Sequence, residues 1–283
     1  MSFAKSSACT PHSKPSVWQM WQRVRISKPL TQCITNYVSM EIMAATLLAA
    51  GASPAMVHGL DEVEDFASIS SALLINMGTM SSEWVASKKL AAKQAVLLNK
   101  PWVLDPVGCG ATPYRTKACL DMLHCKPTVV RGNASEIIAL SGAQGNVKGV
   151  DSTAQSSDAL VHATQLAKDF TCVVAVSGAV DYVTNGRDVL EVRNGVEMLT
   201  LVTAAGCSLT ALVAAFVSQS REDPLLATAA AMAIFGIASE RALETAAVPG
   251  PGSLRVGLLD QLFLLDEETV TKRIKIQERE VAK

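Results

Sequence analysis

The sequence predicts an α/β protein with a mostly parallel central sheet, helices on both faces and a few antiparallel edge strands. Short apolar runs alternate with longer segments of helical spacing, which is typical of repeated βα units. Hydrophobic residues make up 49% of the 283 residues and charged residues 18%, enough for strands buried on both faces. An Asn185-Gly186 pair between two β-rich runs predicts a hairpin and therefore some antiparallel strands.

The first half of the chain supplies helices and strands in alternation. A helix is predicted over 18–25, and another over 40–50 because Gly51 and Pro54 follow as stop signals. Apolar runs predict strands over 72–75, 102–104 and 128–130, and helical spacing predicts helices over 84–99 and 134–140.

The second half adds the hairpin and the longest helix. Strands are predicted over 172–176, 182–184 and 189–192. Residues 198–203 are predicted as a buried strand, followed by a tight turn and a helix that reaches residue 220. Helices over 224–245 and 253–264 flank a Pro-Gly loop, and the charged segment from Asp266 is expected to lie mostly on the surface.

We find no linker, internal repeat or low-complexity segment that divides the chain. One domain over 16–283 is therefore expected, preceded by a flexible tail over 1–15. The first 28 residues carry five basic side chains and no acidic one, a weak resemblance to an organelle transit peptide. We favour a tail followed by the first helix.

Charge and cysteine content exclude several classes of function. A formal net charge of −1 leaves no electrostatic footprint for nucleic acid or for an anionic membrane. Residues 198–220 carry no charge and are long enough to span a bilayer, but their polar side chains and the break at Ala204-Ala205-Gly206 favour a buried segment. Seven cysteines without a CxxC pair indicate free thiols in a reducing, cytoplasmic compartment.

The common nucleotide and hydrolase motifs are missing from the sequence. It contains no Gly-Lys dipeptide, and so no P-loop, no GxGxxG after the first strand, no GxSxG and no HExxH. If the protein binds nucleotide phosphates, it must do so by another geometry.

Polar side chains instead follow the predicted strands, at the point where each strand ends. They are Asn76, Asp105, Arg131, Asn133, Ser177 and Thr203. Ligands of open α/β sheets bind beyond the carboxyl ends of the strands. The sequence therefore predicts one active site at that edge.

The segment Thr203-Ala204-Ala205-Gly206-Cys207 precedes an apolar helix, whose N-terminus offers free N–H donors for an anion. We interpret Gly206 and Cys207 as part of a site for a transferring phosphoryl group, with the thiol near the attacking hydroxyl. A thiol in a first helical turn usually has a lowered pKa. The alternative is a small-residue turn with a buried structural cysteine.

Charged residues near two strand ends are candidate phosphate and metal contacts. Arg131 has several donors for phosphate oxygens, and Glu136 and Asp105 are candidate partners of Mg²⁺. Each has a structural alternative: Asn133 and Glu136 have the spacing of a capping box, and Asp105 precedes Pro106 as turn-forming residues do.

Two further candidates lie near the start of the chain. Asn36 precedes the helix over 40–50 and could contact phosphates or metal, or form a local Asx turn. Met56 could line a pocket for an apolar ring, although a lone methionine is more often core filler.

Seven short motifs follow one another along the chain between about Pro29 and Leu265. They are ITNYVSM (34–40), GASPAM (51–56), VLDPVGCGAT (103–112), RGNASEI (131–137), VAVSGAVDYVTNG (174–186), GCSLTAL (206–212) and GPGSLRV (250–256). On these motifs, in this order, the chain resembles the hydroxyethylthiazole kinase family, whose members have a ribokinase-like fold.

This resemblance implies an ATP-dependent, Mg²⁺-requiring kinase of 4-methyl-5-(2-hydroxyethyl)thiazole that acts in thiamine biosynthesis or salvage. It also implies a homotrimer with the active site at the subunit interface. By position it implies catalytic roles for Cys207 and Gly206, ATP binding by Arg131, Ser177 and Asn36, thiazole binding by Met56 and Ala204, and metal binding by Asp105 and Glu136.

Some positions depart from the family pattern. The family usually has Gly-Thr-Gly-Cys where this chain has Ala204-Ala205-Gly206-Cys207, and threonine where it has Ser177. The two added methyl groups and the lost hydroxyl are expected to tighten the anion site. A kinase of hydroxymethylpyrimidine or pyridoxal, and a non-catalytic thiazole- or nucleotide-binding protein, remain alternatives.

Overall fold

A computed structural model describes residues 16–142 and 155–279, so the predicted tail over 1–15 lies outside the described residues. Within these ranges the strands are β1 Leu30–Ile34, β2 Ser53–Ala55, β3 Ala72–Asn76, β4 Trp102–Asp105, β5 Val129–Asn133, β6 Val173–Ser177, β7 Asp181–Thr184, β8 Val189–Val192 and β9 Ile276–Arg279.

The helices cover both faces of the sheet. They are α1 Val17–Ser27, α2 Met40–Ala49, α3 Val63–Ile69, α4 Ser82–Leu97, α5 Pro113–Leu123, α6 Ala134–Leu140, α7 Ser156–Phe170, α8 Ala205–Gln219, α9 Pro224–Thr245, α10 Pro251–Leu264 and α11 Glu267–Arg273, with a 3₁₀ helix at Glu197–Leu201.

The described strands form one sheet in the order β2-β1-β3-β4-β5-β6-β7-β8-β9. Every neighbouring pair from β2 to β6 is parallel, whereas β6 to β9 pair antiparallel. The predicted fold class is therefore confirmed. In the hairpin between β7 and β8, the Asn185 side chain accepts the backbone N–H groups of Arg187 and Asp188.

Two apolar cores lie on opposite faces of the sheet because side chains alternate along each strand. Leu74 of β3 packs on one face with helices that include α8 and α9. Leu73 and Ile75 point to the other face and pack with α5 and α7. This two-sided burial explains the uninterrupted apolar runs of the parallel strands.

One predicted element in the carboxyl-terminal half is wrong. Residues 198–203 do not form a buried strand, since Glu197–Leu201 is a 3₁₀ helix without a buried residue. The segment from Asp266 lies mostly on the surface, as predicted, and it also contributes α11 and then β9, two elements that were not predicted. A short polar strand at a sheet edge has too few apolar residues to stand out in the sequence.

Among the described residues, one helix, α9, is long and apolar enough to cross a membrane by length and composition. Its apolar window is 83% buried inside the protein, the burial of a core helix. The uncharged stretch over 198–220 contains α8, which has 15 residues.

Lys88 of α4 is a buried cation without a hydrogen-bond acceptor among the described residues. Its Nζ lies 5.2 Å from the centre of the Trp84 ring. Burial lowers the pKa of Lys88 from 10.5 to about 8. Below pH 8 the folded protein therefore keeps a charged amine in an apolar setting, which costs stability.

We expect Lys88→Met to raise the free energy of unfolding by about 2 kcal/mol at pH 7. The gain should shrink as pH rises from 8 to 10.5, because the wild-type amine then loses its charge in the folded state before it does in the unfolded state. Denaturant unfolding at pH 7 and pH 10 measures this change. Lys89→Met is the matched control, since Lys89 is partly exposed and paired with Asp121; an equal gain in that variant would contradict the account.

Candidate active site

Three neighbouring strands bring polar side chains together at their carboxyl ends. Asn36 follows β1, and Asn76 and Asp105 are opposed residues at the ends of β3 and β4. Asn36 Nδ2 donates to Asn76 Oδ1 at 2.8 Å, and Asn76 Nδ2 donates to Asp105 Oδ2 at 2.8 Å. Two of the predicted strand-end residues, Asn76 and Asp105, are therefore in contact, whereas Thr203 does not follow a strand and lies in the turn before α8.

Cys207 of α8 faces this row of side chains. Its Sγ lies 3.3 Å from Asn76 Nδ2 and 3.8 Å from Asn36 Nδ2, and both amides donate to the sulfur. Burial, followed by the negative charge of Asp105, raises the pKa of the Cys207 thiol to about 12. The expectation of a lowered pKa is wrong because desolvation outweighs the helix N-terminus here. Cys207 is therefore a protonated thiol near neutral pH.

Arg131 enters the site from within β5, two residues before the strand ends. Its Nη2 donates to Ser177 Oγ at 2.6 Å. A methyl group on Gly206 would lie 2.8 Å from Arg131 Nη1, so glycine lets the guanidinium approach the start of α8. Arg131 Nε is buried and has no acceptor in the described part of the chain.

Glu136 performs the predicted capping role and also faces the site. Its Oε2 accepts the Asn133 N–H and its Oε1 accepts the Gly108 N–H, both at 2.9 Å. Burial, followed by the charge of Asp105, raises the pKa of Glu136 to about 7. The pKa of Asp105 is also raised by burial, against the opposing effect of Arg131.

The described residues contain no group of three or more His, Cys, Asp or Glu side chains that could hold a metal ion. They do provide two buried carboxylates, Asp105 and Glu136, close enough for one charge to shift the pKa of the other. Mg²⁺ commonly binds through one or two carboxylates, several waters and substrate phosphates. Both Glu136 oxygens already accept N–H groups, so this pair fits a hydrated Mg²⁺ ion.

Ala204 immediately precedes α8 with φ +62° and ψ +14°, in the left-handed region. An L-residue with a Cβ is strained there by roughly 1 kcal/mol, and glycine is not. The methyl group that departs from the family pattern therefore stands at a strained backbone position beside the predicted anion site. Strain of this kind is found preferentially at ligand sites.

We expect Ala204→Gly to raise the free energy of unfolding by about 1 kcal/mol, seen as an increase in Tm of about 2–4 °C. Ala205→Gly is the matched control with the opposite sign, since Ala205 is the first helical residue of α8 and loses helix propensity. A drop in Tm for Ala204→Gly would contradict the assigned backbone conformation.

Met56 is not part of the hydrogen-bonded polar cluster among the described residues. It follows β2 at the sheet edge and packs partly buried against the apolar core that Cys207 also contacts. No hydrogen bond or ring contact ties it to the other candidate residues among those described. Its role in binding a ring stays a prediction.

Three residues with site contacts received no role from the sequence. Asn76 was recognised only as a polar strand end. Thr210 Oγ1 donates to Asp105 Oδ2 at 2.8 Å. Thr210 lies four residues after Gly206, and this spacing in the sequence places it on the same face of the predicted helix. Asp181 accepts the Gly178 N–H at 2.9 Å, and burial raises its pKa to about 7 against the effect of Arg131.

Comparison with known proteins identifies the family of this chain. A model of the hydroxyethylthiazole kinase family matches residues 21–268. The chain belongs to this family. The hydroxyethylthiazole kinase of Zea mays is 52% identical over 93% of this chain and 93% of its own length. The seven motifs of the sequence therefore reflect a relationship over nearly the whole chain.

Solved structures agree with the family and with the fold. The hydroxyethylthiazole kinase of Pyrococcus horikoshii OT3 superposes with a TM-score of 0.85 and 41% identity, over 93% of this chain and 99% of that one. A pyridoxal kinase of Staphylococcus aureus, in complex with AMP-PCP and pyridoxal, gives a TM-score of 0.63 at 18% identity, over 90% and 99% of the two chains. At 18% identity, the similarity to the pyridoxal kinase shows a shared fold only. Together they confirm the ribokinase-like architecture.

Proposed function

We propose that this protein is an ATP-dependent kinase that transfers the γ-phosphate to the primary alcohol of 4-methyl-5-(2-hydroxyethyl)thiazole, for thiamine biosynthesis or salvage. One observation carries the proposal: the start of α8 lies directly against the buried guanidinium of Arg131. A helix N-terminus beside an arginine is a site for a phosphoryl group. Membership of the hydroxyethylthiazole kinase family supports the choice of alcohol.

The backbone at the start of α8 supplies the donors for the transferring group. The Ala205 N–H already donates to Val202 O at 3.2 Å, so it does not serve the ligand. The N–H groups of Gly206 and Cys207 have no acceptor among the described residues and point out of the helix end. They would bind the phosphoryl oxygens, while Arg131 and Ser177 hold the nucleotide.

Asp105 and Glu136 would hold hydrated Mg²⁺, which supplies charge neutralisation of the ATP phosphates when bound. Asp105 presents its Oδ2 between two donors, Asn76 and Thr210, so its position is fixed before any ligand enters. Glu136 is fixed in the same way by two backbone N–H groups. The protein contributes orientation, and little rearrangement is needed on binding.

Cys207 would orient the alcohol. Because its thiol is protonated near neutral pH and its sulfur accepts two amide N–H groups, the S–H is the group left to contact the substrate. Phosphoryl transfer passes through a loose transition state in which a strong base is not essential. A thiol that orients the hydroxyl is sufficient for such a reaction.

We also propose that residues 16–283 form one kinase domain, that the protein is cytoplasmic, and that it assembles as a homotrimer with the site near the subunit interface. The placement of Met56 beside the short edge strand β2 supports the last point, since a neighbouring subunit can reach a sheet edge. Sedimentation analysis tests it, with a trimer expected and a monomer contradicting it.

Rates with three alcohols test the proposed function. We expect kcat/KM for hydroxyethylthiazole to exceed the values for hydroxymethylpyrimidine and pyridoxal by at least about 10²-fold, since an ill-fitting ring misplaces the hydroxyl. Turnover of another alcohol instead would indicate a related kinase of the same fold. Thermal stabilisation by thiazole and ATP without ADP formation would indicate the binding-protein alternative.

A further inference from the structure

The carboxamide of Asn76 lies at the centre of the site, fully buried, with all of its hydrogen-bonding capacity in use. Its Oδ1 accepts Asn36 Nδ2 at 2.8 Å and the Gly78 N–H at 2.9 Å. Its Nδ2 donates to Asp105 Oδ2 at 2.8 Å and to Cys207 Sγ at 3.3 Å. An amide has two acceptor lone pairs and two N–H groups, so none is left for a substrate.

These partners fix which way the amide points. Gly78 N–H can only donate, so the group that faces it must be the oxygen, and the N–H groups must then face Asp105 and Cys207. A flipped amide would place donor against donor at Gly78 and oxygen against carboxylate at Asp105. Burial without access to water makes that arrangement costly.

The same carboxylate oxygen is tied to the helix that carries the thiol. Thr210 Oγ1 of α8 lies 2.8 Å from Asp105 Oδ2 and 3.0 Å from Gly206 O, so its single hydroxyl hydrogen is shared between these two acceptors. Asn76 therefore joins β3 and β4 to α8 at the point where the candidate metal carboxylate and the candidate alcohol-orienting thiol meet.

We infer that Asn76 is a positioning residue for phosphoryl transfer: its amide sets Asp105 and Cys207 relative to each other without touching the substrate. This inference deepens the proposed function and rests on it for the reaction. It assigns to Asn76 an effect on kcat with little effect on nucleotide affinity, because the proposed nucleotide contacts, Arg131 and Ser177, are not hydrogen-bonded to Asn76.

Asn76→Asp tests the inference with a side chain of nearly the same shape. It keeps the oxygen that faces Gly78 and Asn36 but replaces both N–H donors with a second carboxylate oxygen facing Asp105. We expect kcat to fall by about 10²-fold, with the Kd of ATP from isothermal titration calorimetry changed by less than about 3-fold. We expect Tm to fall by about 6 °C or more through charge repulsion.

The double variant Asn76→Asp/Asp105→Asn exchanges donor and acceptor, so one amide again faces one carboxylate. We expect it to recover most of the lost Tm, but not kcat, because the carboxylate now stands on the wrong strand. It also provides a folded protein if the single variant does not fold. Asn194→Asp is the matched control: Asn194 is a buried asparagine that donates to the Glu240 carboxylate at 3.2 Å, away from the site. Its kcat should stay within about 2-fold of wild type.

Two results would overturn the inference: a folded Asn76→Asp with kcat within about 3-fold of wild type, or a double variant that recovers no Tm. The Tm rescue needs no turnover. If the wild type phosphorylates none of the three alcohols, the proposed function fails while the rescue still decides whether Asn76 and Asp105 are linked as donor and acceptor.

Discussion

We expect Arg131→Ala to lower kcat/KM for ATP by on the order of 10²- to 10³-fold. The side chain is buried and its Nε has no acceptor among the described residues. Its charge also opposes the burial-induced increases in the pKa of Asp105 and Glu136. Its loss would therefore remove the proposed phosphate contact and leave two carboxylates without their nearby cation. Steady-state kinetics at varied ATP measures the effect.

Arg131→Lys separates charge from shape. Lysine keeps the charge but not the planar fork that reaches Ser177, so we expect a loss between those of wild type and Arg131→Ala. Arg23→Ala is the surface control, since Arg23 pairs with Glu222 on the exterior. Unchanged kinetics in Arg131→Ala would show that the guanidinium does not bind the nucleotide.

The second large effect is expected for Asp105→Asn. The substitution keeps the shape of the side chain but removes a negative charge beside the phosphate site, so we expect kcat to fall by about 10²-fold or more. The free energy of unfolding should change little, because burial destabilises the ionised form of Asp105 in the folded protein and raises its pKa. The paired measurement is kcat with saturating Mg²⁺ and the free energy of unfolding in urea.

A merely structural aspartate would give the reverse result, with stability lost and kcat retained. Asp121→Asn is the matched control. Asp121 pairs with Lys89 and Lys117 at the surface, where the hydrogen bond from Lys89, together with that from Lys117 and the charges of both lysines, lowers the pKa of Asp121. We expect that variant to lose less than about 1 kcal/mol of stability and no activity.

The parallel half of the sheet could be predicted from the sequence because its strands are buried on both faces. The strand over 72–75 is one residue shorter than β3, Ala72–Asn76, and the helix over 224–245 coincides with α9. The edge strands were harder. β9, Ile276–Arg279, is largely exposed and lacks the apolar run that marks a central strand.

The 3₁₀ helix before α8 shows a second limit of sequence reasoning. Apolar residues such as Leu199 and Leu201 suggested a buried strand, but Leu201 is 67% exposed. The composition of a segment shows how apolar it is, but it does not show whether other elements pack against it. The turn that follows was predicted correctly, because the small residues at 204–206 indicate a tight turn whether a strand or a 3₁₀ helix precedes them.

Several members of the polar cluster could be predicted from the sequence, but the hydrogen bonds between them could not. Polar residues at strand ends converge because parallel strands end at one edge of the sheet. Which amide faces which acceptor depends on register, such as the pairing of Asn76 with Asp105. The thiol pKa of Cys207 could not be predicted either, since the sequence indicates a helix N-terminus but not the burial that outweighs it.

The most direct test of the central claim is mass spectrometry of the products formed from ATP, Mg²⁺ and hydroxyethylthiazole, with the Arg131→Ala variant in parallel. We expect thiazole monophosphate and ADP in equal amounts with the wild type, and at least about 10²-fold less of both with the variant. ADP formed without thiazole phosphate, or no product from a folded wild-type protein, would contradict the assignment of phosphoryl transfer to this site.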